Sequence, residues 1–169
     1  MELYHGSNIT VSQPLAFSGR RNLDFGKGFY TTRLKSQAQK WATLVASRKK
    51  RNPQSIVSIF EYNEGDMMEA GYVYKNFPEY DMEWLEFVVA CRNGRDNTNY
   101  DIVEGGVTND QVIDTVEDYE NGRITAEQAL DQLKYKNPNN QVCFRNQEII
   151  DKYLHFVKSE TITSQDIVL

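Results

Sequence analysis

Histidine and cysteine are scarce in this chain: His5, His155, Cys91 and Cys143 are all that its 169 residues contain. No Cys-x-x-Cys pair occurs among them, so the sequence offers no zinc site and no disulfide framework, and no metal is expected. Both thiols read as reduced core residues of a cytoplasmic protein. Long apolar runs are missing as well, which excludes a membrane-spanning helix. The first residues, Met1-Glu2-Leu3-Tyr4-His5, carry neither the basic start nor the apolar stretch of a secretory signal. Positive charge is in deficit: the formal net charge is −5, which weakly repels nucleic acid and disfavours non-specific phosphate binding. The one basic run, Arg48-Lys49-Lys50-Arg51, falls where a helix should end, and cations there complement the helix dipole. It is read as a helix terminus, in preference to a nucleic-acid patch.

What remains suffices for a single domain over residues 1–169. Apolar residues make up 40% of the chain, with many aromatics, and a chain of this length buries a core without metal or disulfide staples. Residues 1–5 read as a strand, and residues 8–24, with Pro14 and Gly19, as a loop. Aromatic and β-branched residues from Gly28 to Thr32 make a short strand. Ala38, Trp41, Ala42 and Val45 recur at helical spacing over about 35–48, which turns Trp41 inward. Ser55 to Tyr62 reads as a central strand, 79–92 as a helix and 100–103 as a strand. Val112, Ile113, Val116 and Tyr119 form a helical stripe that stops at Asn121-Gly122. Thr125-x-x-Gln128 looks like a capping box. A strand over 140–145, a short helix over 147–153 and a strand over 154–163 complete the chain. Strands and helices mix without a regular βαβ rhythm, which indicates an α+β fold.

The chemistry concentrates in two segments, Tyr4-His5-Gly6-Ser7 and Phe25-Gly26-Lys27-Gly28-Phe29-Tyr30. The second is neither a Rossmann fingerprint, since Thr31 stands where a third small residue should open a helix, nor a phosphate-cradling P-loop. Its glycines let the backbone approach something closely, and Tyr30 follows.

Together the two segments resemble the NAD-gripping edge of ADP-ribosyltransferases of the diphtheria-toxin and poly(ADP-ribose)-polymerase branch. That branch carries a histidine, a tyrosine and a glutamate on successive strand segments. Within it the chain most resembles a bacterial family known only as a domain of unknown function (family 3990). The matching stretches are Leu3 to Ser7, Asp24 to Thr32, Trp41-Ala42, Tyr100 to Asp110 and Asn140 to Phe144. The resemblance implies a split β-sandwich with flanking helices, and NAD as co-substrate. His5 would donate a hydrogen bond to the adenosine ribose, from either tautomer, and Gly6 would offer main-chain groups to the nicotinamide carboxamide. Tyr30 and Trp41 would enclose the nicotinamide ring, a cation–π arrangement worth about 0.5–2 kcal/mol. Ser7, Gly26, Gly28 and Phe29 belong to the same NAD-binding set. Arg20 and Arg21 could meet the pyrophosphate by reach and charge.

One motif departs from the pattern. Where the family glutamate would open the late strand, Asn140-Gln141-Val142 places Gln141, the third catalytic candidate beside His5 and Tyr30. Glutamine keeps the hydrogen bond to the ribose and loses the charge that stabilises the oxocarbenium ion. Asp110 or Glu148 could restore that charge, although Asp110 reads first as a helix N-cap. The expected activity is transfer of one ADP-ribose unit to a macromolecular acceptor, by a toxin or effector with a small neutralising partner protein. The alternative is a catalytically silent NAD or ADP-ribose sensor, or a module that kept the fold and lost the ligand.

Overall fold

Alternating apolar residues in short runs build two sheets. The structure, a computed structural model, describes every residue except Asn52, Asp110, Gln111, Ser164 and 167–169. Along the chain run β1 (Glu2–Ser7), β2 (Phe29–Thr31), α1 (Lys35–Ser47), β3 (Ile56–Tyr62), α2 (Glu64–Glu69), β4 (Tyr74–Phe77) and α3 (Met82–Arg92). There follow β5 (Ile102–Gly105), α4 (Ile113–Glu120), α5 (Ala126–Leu133), β6 (Gln141–Phe144), α6 (Gln147–Tyr153) and β7 (Leu154–Thr161). The fold is α+β, with six helices among the described residues. One sheet has the order β1-β3-β7, and the second has the order β2-β6-β5-β4. β3 is central, as its unbroken burial from Ile56 to Phe60 requires. All strand pairs are antiparallel except β4–β5, which α3 joins as a crossover.

Three apolar layers hold these elements. Leu3, Phe60 and Tyr62 of the first sheet face Phe29, Ile102, Val142 and Phe144 of the second, closed at one end by Ile149 and Ile150 of α6. Strand alternation sends Phe77, Val103 and Cys143 to the opposite face, under Trp84, Leu85 and Val88 of α3 and the helices α4 and α5. α1 covers the outer face of the first sheet, where Ala38 and Ala42 meet Val57 and Ile59. The capping box at Thr125 and Gln128 forms with both reciprocal bonds, and Gly122, at φ +71°, ends the stripe before it.

The inward Trp41 is corrected. α1 buries Ala38, Ala42 and Ala46, while Trp41 is 49% exposed. The cause is the seam against β1: a Cβ at Gly6 would stand 2.1 Å from the Ala38 carbonyl oxygen. Backbone packs on backbone there, so only small side chains fit, and an indole is turned out. Gly28 answers the same need elsewhere. Its missing Cβ would lie 2.5 Å from Cys143 Sγ, so the close approach that the glycines permit is to β6, with Gly26 turning the chain at φ +73°.

Candidate functional site

β1 carries the candidate site because its two edges are used differently. In an antiparallel ladder, successive residues turn their N–H and C=O groups alternately to the two neighbours. Tyr4 exchanges both main-chain bonds with Thr32, at 2.9 Å each, so its groups face β2. Gly6 has the same parity. Its N–H and C=O therefore face that edge too, past the isolated Tyr4–Thr32 bridge, where no strand pairs with β1 among the described residues. A donor and an acceptor side by side result. Gly6 lacks a Cβ because α1 sits on that face of the strand.

His5 lies next to this edge with its ring fixed. Nδ1 is 2.7 Å from the Tyr30 carbonyl oxygen, and the ring lies 4.6 Å from that of Phe29. A carbonyl only accepts, so Nδ1 holds the proton, and the neutral ring presents Nε2 as an acceptor. Burial pushes its pKa below the usual histidine value, against the opposing pull of the Tyr30 carbonyl. The expected donor role at either tautomer is corrected: with Nδ1 donating to Tyr30, the neutral ring can only accept at Nε2. Phe29 is a core residue beneath His5, 6% exposed, and acts on the site by holding that ring. Ser7 is half-buried on the His5 side of the strand.

Tyr30 is tied into its own turn. Its hydroxyl donates to the Gly26 carbonyl at 2.5 Å and accepts from Phe25 N–H at 3.1 Å, and its ring stacks on Phe25. Burial, with Cys143 beside it, drives the phenol pKa far above its ordinary value, so it stays protonated. One ring face is thus spent on the core.

Gln141 opens β6 opposite Gly105 and is half-buried. By alternation with Val142 its side chain shares the sheet face of Cys143 and Tyr30. The residue before it is clamped: Gln37 of α1 donates to the Asn140 carbonyl (2.6 Å) and accepts from Asn140 N–H (3.1 Å). Trp41 stands one turn after Gln37 on the same helix side, so the helix turns its exposed indole toward the flank where β6 begins.

Sequence reasoning passed over the polar network behind this clamp. Glu104 of β5, 7% exposed, accepts from Arg33 Nε (2.6 Å) and Nη2 (2.8 Å), from Tyr74 Oη (2.6 Å) and from Asn140 Nδ2 (2.9 Å). Asn140 Oδ1 accepts from Arg33 N–H at 2.9 Å, and Arg33 also pairs with Glu64. Burial would raise the Glu104 carboxyl, but the bonds from Arg33, Tyr74 and Asn140 outweigh it and hold it below the usual range. An acid flanked by apolar Val103 and glycine was the available signal.

Glu104 does not supply the missing charge, and the two expected replacements, Glu148 and Asp110, fare differently. Glu104 faces the intersheet core beside Ile102, opposite to Gln141, and its lone pairs are taken. Glu148 is exposed on α6 and pairs with Lys152. Asp110 lies outside the described residues. No group of acidic, histidine or cysteine side chains suited to a metal ion occurs among the described residues.

Arg20 and Arg21 are exposed on the loop before β2. Arg21 lines a cleft of about 540 Å³ with Gly26, Lys27 and Arg145, and another cleft of about 390 Å³ lies at Tyr62 and Glu64. Neither includes His5, Gly6, Trp41 or Gln141. In the larger one the carboxylates are already matched, Asp96 by Arg145 and Thr98, and Asp101 by Val73 N–H and Asn146. The open strand edge, whose main-chain groups have no strand partner, is the better candidate.

A family model described as "Protein of unknown function (DUF3990)" matches residues 1–156. No curated protein and no solved structure matches the chain.

Proposed function

The chain belongs to that family, whose description carries no activity, and from the resemblance of its motifs to those of ADP-ribosyltransferases, with the geometry of the β1 edge, we propose an NAD-dependent mono-ADP-ribosyltransferase with an ADP-ribosyltransferase-like split sandwich. The observation that carries this reading is the open edge of β1: Gly6 offers one N–H and one C=O, the complement of a carboxamide, beside the turn that ends in Tyr30. Nicotinamide would be held there between Tyr30 and Trp41. His5 Nε2 accepts from an adenosine-ribose hydroxyl, and Gln141 bonds the nicotinamide-side ribose. As the glycosidic bond breaks, nicotinamide leaves with the bonding pair, and an acceptor nucleophile attacks the opposite face of the anomeric carbon and gives up its proton to solvent. One ADP-ribose unit is transferred with inversion. Glutamine cannot serve as a base toward a hydroxyl, so chain elongation is not part of the proposal. A toxin or effector role, with a neutralising partner, rests on the resemblance alone.

Gln141 supports a second reading, a silent NAD or ADP-ribose sensor, because neither Glu104 nor Glu148 supplies a charge on its side of the sheet. Titration with NAD tests the site common to both. Trp41 is half-exposed and Trp84 is fully buried, so NAD should quench the Trp41 emission. Trp41→Ala should abolish the quench and Trp84→Phe should keep it. A quench that survives Trp41→Ala refutes the placement, and release of nicotinamide separates enzyme from sensor.

A further inference from the structure

Charge is segregated along this sequence. Between Asp24 and Glu61 stand eight of the 19 lysines and arginines and none of the 24 carboxylates. The rest of the chain is correspondingly acidic. α1 and the turn after it display much of this positive segment. Arg33 and Lys35 are paired with Glu104 and Glu160, while Lys40 and Arg48 to Arg51 are exposed with no ion pair among the described residues. α1 ends at Ser47, so the run from Arg48 lies just beyond its C-terminus.

The same helix, with Leu34 at its N-cap, exposes apolar side chains along one side. Leu34 is 51% exposed, Trp41 49% and Leu44 41%. Spacings of seven and three residues align them with Gln37 and Arg48 in one stripe, and Lys40 lies beside Leu44, one turn before it. A surface that is apolar along one line and cationic around it, with no acid of its own, complements a segment that is apolar along one line and acidic around it.

We propose that this face of α1 docks an acidic, amphipathic segment of another protein. Nucleic acid fits less well, because it would leave Leu34 and Leu44 uncovered. A long polyanion would also be repelled by the acidic remainder of the molecule, whereas a compact segment meets only this face. A partner seated on it covers Trp41. If the nicotinamide reading holds, partner and NAD then exclude each other; docking itself does not depend on that reading.

The test uses the whole protein and a synthetic helical peptide of about four turns, leucine on one face and glutamate on the other. The peptide should shift Trp41 emission to the blue, and raising salt from about 0.05 to about 0.5 M should weaken binding about tenfold or more. Lys40→Glu with Leu44→Glu, both at exposed positions, should abolish binding and leave the melting temperature unchanged. The same peptide with lysine for glutamate should not bind. Absence of binding, binding insensitive to the double variant, or tighter binding of single-stranded DNA of about 20 nucleotides would each overturn the proposal. NAD affinity of the double variant, read from the quench, reports separately on the nicotinamide site.

Discussion

At the scale of single residues, the site depends on which groups are charged. Gln141 is neutral, and a charged hydrogen bond exceeds a neutral one by about 1–2 kcal/mol, a factor of roughly ten to thirty in rate. Gln141→Glu should therefore speed nicotinamide release by that factor if the position faces the ribose. Should rate and affinity stay the same from pH 6 to pH 9, Gln141 is not in the site. His5 gives a pH signature. Its pKa in the folded protein is depressed, so the unfolded chain takes up a proton first as pH falls. The stability it confers is present above about pH 6.5, the ordinary histidine value, and is lost as pH drops through the lower folded value. Denaturant midpoints measured in pH steps should show this loss, and His5→Asn should remove it. The fold brings His5 Nδ1 within 2.7 Å of the Tyr30 carbonyl oxygen, and that these two segments come together was legible in the sequence. The direction of the His5 hydrogen bond was not, since Tyr30 reaches it only through the fold.

At the scale of elements, the strands and helices follow the sequence closely, and the exceptions are instructive. Hydrophobic period and capping chemistry located α1, β3, α4, α5, β6, α6 and β7. They missed α2 and β4, whose stability is not local: Met67 is buried in the intersheet core, and β4 exists by pairing with β5. Trp41 failed for the converse reason, since helical period shows which residues share a face and leaves open which face a glycine on a neighbouring strand will admit. The Glu104 network ties four elements together, α1 through Gln37, α2 through Glu64, β4 through Tyr74 and β5 through Glu104 itself, with Arg33 and Asn140 as the links between them. Removing one member of a buried charged set typically costs about 3–5 kcal/mol, because the partner is left unpaired. Glu104→Ala should lower stability by that order in chemical denaturation. Adding Arg33→Met should restore part of it, and a fully additive double variant would show that Arg33 and Glu104 do not act as a pair. Burial raises the Glu104 carboxyl and its donors lower it further, so its contribution is held above about pH 4.3 and disappears as pH falls through the depressed folded value.

At the scale of the whole molecule, Cys91 and Cys143 are free and buried, and burial pushes both thiols up to about 12. Neither should be alkylated in the native protein. Labelling should track the global unfolding transition in denaturant, and rapid labelling of Cys91 without denaturant would mean that the packing around Gly26 opens on its own. No helix is long and apolar enough to cross a membrane among the described residues. The sequence by itself determined the α+β class, most of the elements, the two buried thiols and the family, because each rests on local propensity, burial preference or residue-by-residue resemblance. Only the tertiary structure decided how the strands divide into two sheets and why Gly6 is glycine. The same tertiary contacts turned Trp41 outward and gave the Glu104 carboxylate to Arg33 and not to Gln141. These depend on contacts between residues far apart in the chain, and no local period or motif encodes which distant backbone will press against a given side chain.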